Sequence, residues 1–267
     1  MIGSLAITLG IVAASLVPPR SETGFLNREL TVGQDTYRYE VYVPASFDDA
    51  RRLPVILFLH ASSERGSDGI RPTAVGLGAA IRSNPERFPA IVVFPQVPDG
   101  KPWAGDAETA ALEALDRSIE EFHGDPDRVY AVGISMGARG ALQLAAQHPD
   151  RFAAVIAVGG WVVPPKQIAE LDASPAPAGV NPYAAMAQAL KGLPVRLYAG
   201  SRDTIVPPSE SRRLALALHD LGADVKYNEF PDVGHAAWEK AFSDSDLWIW
   251  LFTRRRTAPT PQVTATP

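Results

Sequence analysis

Ser135 lies at the centre of Gly133-Ile134-Ser135-Met136-Gly137, between an apolar run, Val129 to Val132, and an Ala/Leu-rich stretch with helical spacing. A strand that feeds a Gly-flanked serine and leaves as a helix makes a sharp turn. Such a turn holds the hydroxyl out at the end of a sheet, and small neighbours let strand and helix approach closely. A serine hydroxyl is a weak nucleophile until a base takes its proton, and the base needs an acid to orient it. Asp203 follows the apolar run PVRLYAG directly, and His235 lies in a Gly-led loop after VKYNEF. With Ser135 as nucleophile, His235 as base and Asp203 as orienting acid, the chemistry is acyl transfer. Each residue also has a plainer role to weigh. Asp203 could cap the following helix, although Ser209 is better placed for that, and Asp232 is the rival acid. His123 and His148 stand at helix ends, where they suit dipole compensation, and His219 falls on a helix face. His60 reads as a loop anchor rather than a second base.

Acyl transfer also needs two N–H donors aimed at the developing oxyanion. The amide of Met136, just after the nucleophile, supplies one. The loop after PVILFLH, which reads His60-Ala61-Ser62-Ser63-Glu64-Arg65-Gly66, supplies the other, and Ser62 is the donor chosen; an ordinary surface turn is the alternative for this loop. Trp103 and Trp161 each follow an apolar run and are the candidates for the substrate-binding wall, with packing as the alternative. Trp238, Trp248 and Trp250 follow an amphipathic helical pattern and read as core. Pro164 to Pro182, rich in Pro and Ala, is a flap over the site or a linker.

The elements that must position these residues are legible in the apolar pattern. PVILFLH, AIVVFPQ, RVYAVGIS, AAVIAVGG and PVRLYAG are short continuous apolar runs, as in parallel strands covered on both faces. Helical patterns separate them, over Thr73 to Arg82, Asp106 to Phe122, Met136 to Gln147, Ala184 to Leu190 and Ser209 to Leu221. Upstream, Thr36 to Val43 alternates apolar and polar residues, which predicts a half-buried antiparallel edge strand paired with Arg28 to Val32. The fold class is α/β: a mostly parallel central sheet with helices on both faces and an antiparallel N-terminal hairpin. Sites in such sheets belong at the carboxyl ends of the strands.

The chain has 267 residues, 46% hydrophobic and 21% charged, enough for one domain with a large core. Its net charge of −5 argues against nucleic acid as a partner, and the only basic cluster is Arg254-Arg255-Arg256. With no Cys, thiolate sites and disulfides are excluded, and the five histidines form no zinc-type pair, so neither metal nor cofactor is expected. Residues 1–20 hold an apolar run, uncharged as far as Pro19, that ends at small residues and Pro18-Pro19. They read as a signal peptide, which implies a secreted or periplasmic protein, although a basic n-region is missing. A retained membrane anchor, for which the run is short, and a cytoplasmic chain with a buried or disordered arm are the alternatives. Residues 21–254 are the globular domain, and the Pro/Thr-rich 255–267 reads as a disordered tail. Nothing in the sequence sets the oligomeric state.

Taken together, FLHASSERGSDG, FPQVPDGKPWAG, GISMGARGAL, GSRDTIVP and GHAAWEKAFSDSDLWIWLF, in that order, resemble the predicted-peptidase or polyhydroxybutyrate-depolymerase-like esterase branch of the α/β-hydrolases, relatives of dienelactone hydrolases and carboxylesterases. The likeness runs from about Thr36 to Phe252. It implies the α/β-hydrolase fold and a serine hydrolase acting through Ser135, Asp203 and His235 on a small-molecule or polymeric ester. The family's oxyanion loop usually reads LHG and then the donating residue, which maps onto Leu59-His60-Ala61 and Ser62. Ala61 departs from that Gly, and would be strained if the position needs positive φ. A serine peptidase or amidase of the same fold, and a non-catalytic binding protein that keeps it, are the alternatives to an esterase.

Overall fold

The computed structural model describes residues 22–171 and 179–256. The N-terminal apolar segment, the tail beyond Arg256 and the middle of the Pro164–Pro182 segment lie outside them. Eight strands form one sheet in the order β1-β2-β4-β3-β5-β6-β7-β8. They are β1 (Gly24–Val32), β2 (Asp35–Val43), β3 (Val55–Leu59), β4 (Ile91–Pro95), β5 (Val129–Ile134), β6 (Ala154–Val158), β7 (Val195–Gly200) and β8 (Val225–Phe230). β3 to β8 are parallel, and β1 and β2 form the antiparallel hairpin, with β2 also antiparallel to β4.

The predicted edge strand is displaced by one position. Thr36 to Val43 lies inside the sheet, hydrogen-bonded on both sides, and β1 is the edge. β1 also begins four residues earlier than Arg28, because its pairing with β2 continues to Gly24↔Val43. The extension carries Phe25 and Leu26 side by side, without the apolar-polar alternation that marks the strand further on.

Alternate residues of the parallel strands feed two cores, as the two-residue repeat of a strand requires. Val55, Leu57 and Leu59 of β3 face one core, which is closed by α2 (Asp106–Glu121), α3 (Met136–Gln147), α4 (Pro182–Leu190) and α5 (Ser209–Asp220). Ile56 and Phe58 face the other, beneath α1 (Leu77–Ser83), α6 (Trp238–Ser243) and α7 (Ser245–Phe252). The helix expected from Thr73 starts only at Leu77, since a 3-10 turn over Arg71–Thr73 and Gly76 at φ +59° intervene.

The basic cluster is tied to the body rather than presented to solvent alone. Arg255 pairs with Asp125 at 3.2 Å, Arg256 with Asp127 at 3.1 Å, and Arg254 with Asp224 at 4.0 Å. Among the described residues no helix is long and apolar enough to cross a membrane.

From β3 the chain leaves toward β4 on one side, and from β5 it leaves toward β6 on the other. The connections therefore diverge between β3 and β5, which opens a crevice beyond their carboxyl ends. The Ser135 turn and the His60–Gly66 loop both begin there.

Candidate active site

Ser135 is the hinge between β5 and α3 and holds φ 51° and ψ −119°, a conformation that side-chain-bearing residues rarely adopt. Its amide donates to Val158 O of the neighbouring strand, at 2.8 Å. The flanking glycines are required by contact. A Cβ on Gly133 would lie 2.1 Å from Gly137 O, and one on Gly137 would lie 1.9 Å from Leu59 O. The end of β3 thus presses directly on the turn.

His235 accepts the Ser135 hydroxyl at Nε2 (2.8 Å) and donates its Nδ1 proton to Asp203 Oδ2 (2.7 Å). The other carboxylate oxygen of Asp203 accepts from the amides of Ile205 and Val206, both at 2.9 Å. That side chain is fully buried, so its orientation is fixed on both oxygens. Asp232, the rival acid, sits on the surface in an ion pair with Arg202. Trp238 stands edge-on to the His235 ring with centroids 5.4 Å apart, and Gly159, at φ +65°, lies beside the imidazole. The structure thus brings Ser135, His235 and Asp203 into one hydrogen-bonded chain.

The loop after β3 wraps over the start of α3. Ala61 adopts φ −75° and ψ 175°, ordinary extended backbone, so this position carries no strain and needs no glycine. Its amide is held by Glu64 Oε2 at 3.1 Å, and Ser63 Oγ donates to the other oxygen at 2.6 Å. Burial pushes the Glu64 carboxyl up from its ordinary value. Ser62 opens a 3-10 turn and Met136 opens α3, positions whose amides have no acceptor inside their own turn. The Arg65 guanidinium reaches Met136 Sδ at 3.2 Å and closes the loop over the nucleophile turn.

His60 anchors this loop. Val97 N–H donates to its Nε2 at 3.0 Å, so the ring proton sits on Nδ1 and is donated to Ala61 O at 2.6 Å. Complete burial lowers its pKa to about 4. Trp103 supports it in turn, donating its indole N–H to His60 O at 3.0 Å.

The two tryptophans expected to wall the substrate pocket are interior. Trp103 is 5% exposed, wedged against Gly140, and Trp161 is 1% exposed within the helix-covered core. Position after a strand places a residue near the crevice but does not say which way its ring turns; here the core claims both. Sequence reasoning missed Glu210, a buried carboxylate at the start of α5. It accepts the amides of Val162 and Val163 at 3.0 and 2.9 Å and the Tyr183 hydroxyl at 2.6 Å, fixing the backbone just after Trp161. A Glu in the first turn of a helix gives no sign in sequence of reaching across to another loop. In the Pro164–Pro182 segment, Gln167 donates to Ile205 O at 3.0 Å, which ties its described part to the Asp203 loop. Among the described residues no group of three His, Asp or Glu side chains is placed to hold a metal ion.

A serine raised on a strand-to-helix turn, beyond a mostly parallel sheet covered on both faces, defines an α/β-hydrolase. Within that class the chain belongs to the prolyl oligopeptidase family, whose model matches residues 106–249. It is 31% identical over 145 residues to "Putative esterase NocK" of Nocardia uniformis subsp. tsuyamanensis, which covers 52% of this chain and 42% of that protein. It is 27% identical over 124 residues to acyl-protein thioesterase 1 of Gibberella zeae, covering 46% and 48%. The chain therefore spans less than half the length of these relatives. The crystal structure of a thermostable esterase superposes with a TM-score of 0.74 at 23% identity, over 87% of this chain and 63% of that one; this likeness carries the fold.

Proposed function

We propose that the protein is a serine esterase that hydrolyses carboxylic esters through an acyl-enzyme on Ser135. The observation that carries the reading is the hydrogen-bonded path from Ser135 Oγ through His235 to the buried Asp203. As Ser135 Oγ attacks the ester carbonyl, its proton moves to His235 Nε2 and the new imidazolium is stabilised by Asp203. The carbonyl oxygen takes up negative charge and is met by the amides of Met136 and Ser62. Collapse of the tetrahedral species breaks the bond to the alcohol oxygen, which receives the proton from Nε2 and leaves. Water then attacks the acyl group, His235 takes its proton, and the acid departs with Ser135 restored.

The substrate is a small-molecule or polymeric ester, aryl esters included, and the esterase and thioesterase names of the curated relatives support ester over amide. The apolar N-terminal segment supports export as part of the same proposal. The family match favours one second reading, a peptidase or amidase acting through the same residues with an amine as leaving group. Turnover of p-nitrophenyl esters beside a peptide p-nitroanilide tests both. Ester cleavage lost in Ser135→Ala, with little anilide cleavage, is expected; the reverse preference would replace esterase by peptidase.

A further inference from the structure

Among the described residues, one charged group at this site has no carboxylate within hydrogen-bond distance. Arg65 lies in the loop that wraps the nucleophile turn, with its backbone carbonyl fixed by the Arg71 guanidinium at 3.0 Å and the next amide, Gly66, donating to Val97 O at 2.9 Å. Its position is therefore set by the fold rather than by its own side chain. The guanidinium meets a thioether, Met136 Sδ, which is a weak acceptor. Among the described residues the carboxylates that act on it, Asp99 and Glu170, do so only through the longer-range field, and burial holds its pKa below the ordinary arginine value. Arg65 as a whole is half-buried, so the cost of its unpaired Nε is partial, and an anion placed against the guanidinium would offset it. Arginine's planar fork suits a carboxylate above other acceptors.

Met136 is the residue after the nucleophile, and its amide is a proposed oxyanion donor. The Arg65 guanidinium thus touches the side chain of the residue that follows the nucleophile. We propose that Arg65 forms an anion subsite, selecting esters that carry a carboxylate a short distance from the bond to be cleaved. This rests on the serine esterase reading and goes beyond it by naming the substrate class. The carboxylate belongs either to the acyl portion or to the alcohol portion, and the test separates the two.

The acyl arm compares mono-p-nitrophenyl glutarate with p-nitrophenyl valerate. The alcohol arm compares 4-acetoxybenzoate with 4-acetoxybenzamide. Within each arm the anionic-to-neutral ratio of kcat/KM is read, so any general loss of activity in a variant cancels. In the wild type one arm should favour the anion by about ten- to a hundredfold, the weight of a charge-assisted hydrogen bond, and the preference should shrink with added salt. In Arg65→Gln the ratio should collapse toward one, and Arg65→Lys should keep part of it. A ratio near one in both arms of an active wild type overturns the subsite and leaves the esterase standing, as does a preference that Arg65→Gln retains. Loss of Ser135-dependent turnover on every ester removes the esterase reading and the proposal with it. Should the Arg65 variants fail to fold, binding of mono-p-nitrophenyl glutarate and p-nitrophenyl valerate to Ser135→Ala decides. Tighter, salt-sensitive binding of the glutarate ester supports the subsite, and equal binding overturns it.

Discussion

Acidification should loosen the loop after β3 from inside, through His60. The folded protein holds this imidazole neutral, because Nε2 must accept from Val97 N–H while Nδ1 donates to Ala61 O. Its pKa in the fold is about 4, against 6.5 for the free side chain, with burial as the cause. The folded value is the lower of the two, so as pH falls the unfolded chain takes up the proton first. The stabilising contribution is therefore complete above about pH 6.5 and is lost progressively toward pH 4. Between about pH 7.5 and about pH 5 these two values correspond to a loss of ~2 kcal/mol. Glu64, in the same loop, works in the opposite direction, since burial raises its carboxyl and acid favours its folded form. Comparison with His60→Gln isolates the histidine, because the variant keeps Glu64 and can still accept from Val97. Urea unfolding of both proteins at the two pH values gives the difference. The wild type should lose ~2 kcal/mol more than the variant on acidification. Equal losses would refute the buried neutral imidazole.

Three further outcomes follow from the same contacts. Asp203→Asn keeps the shape but removes the charge that fixes and stabilises His235, and should lower kcat on p-nitrophenyl acetate roughly ten-thousandfold with the fold intact by circular dichroism. Trp103→Phe leaves His60 O without its donor, so unfolding free energy should fall by about 1 kcal/mol. The same variant should show an unchanged acyl-chain-length optimum, because an interior ring does not size the pocket; a shifted optimum would return Trp103 to the substrate wall. Gly137→Ala drives a methyl into Leu59 O. Neither backbone can retreat easily, so soluble yield should collapse or stability should drop by about 3 kcal/mol or more in denaturant unfolding.

How much of this was legible beforehand varied with the kind of interaction involved. The parallel strands stand out in sequence because both faces are covered, which leaves continuous apolar runs such as VILFL and VYAVGI. The helix Met136–Gln147 matches its predicted bounds, since a Gly-Ser turn starts it and an Ala/Leu pattern sustains it. Ser135, Asp203 and His235 could be picked out because each follows a strand, and the sheet's topology brings strand ends together. What sequence could not show were contacts whose partners are distant in the chain. Glu210 reaches the amides of Val162 and Val163 across 48 and 47 positions. Ala61 stands where the resembling family carries Gly, but here the local backbone is extended and Glu64 holds the amide. Trp103 and Trp161 lay correctly after strands, yet ring direction depends on how tightly neighbouring glycines and alanines pack, as Gly140 does beneath Trp103.

The esterase proposal stands on Ser135 being an acyl-accepting nucleophile activated by His235. Reaction of the purified protein with a fluorophosphonate, followed by peptide mass spectrometry, tests it most directly. A single phosphonyl adduct on Ser135 is expected, absent in Ser135→Ala and strongly slowed in His235→Ala, with p-nitrophenyl ester turnover lost in step with labelling. An intact wild-type mass after exposure, or ester turnover that persists in Ser135→Ala, would contradict it.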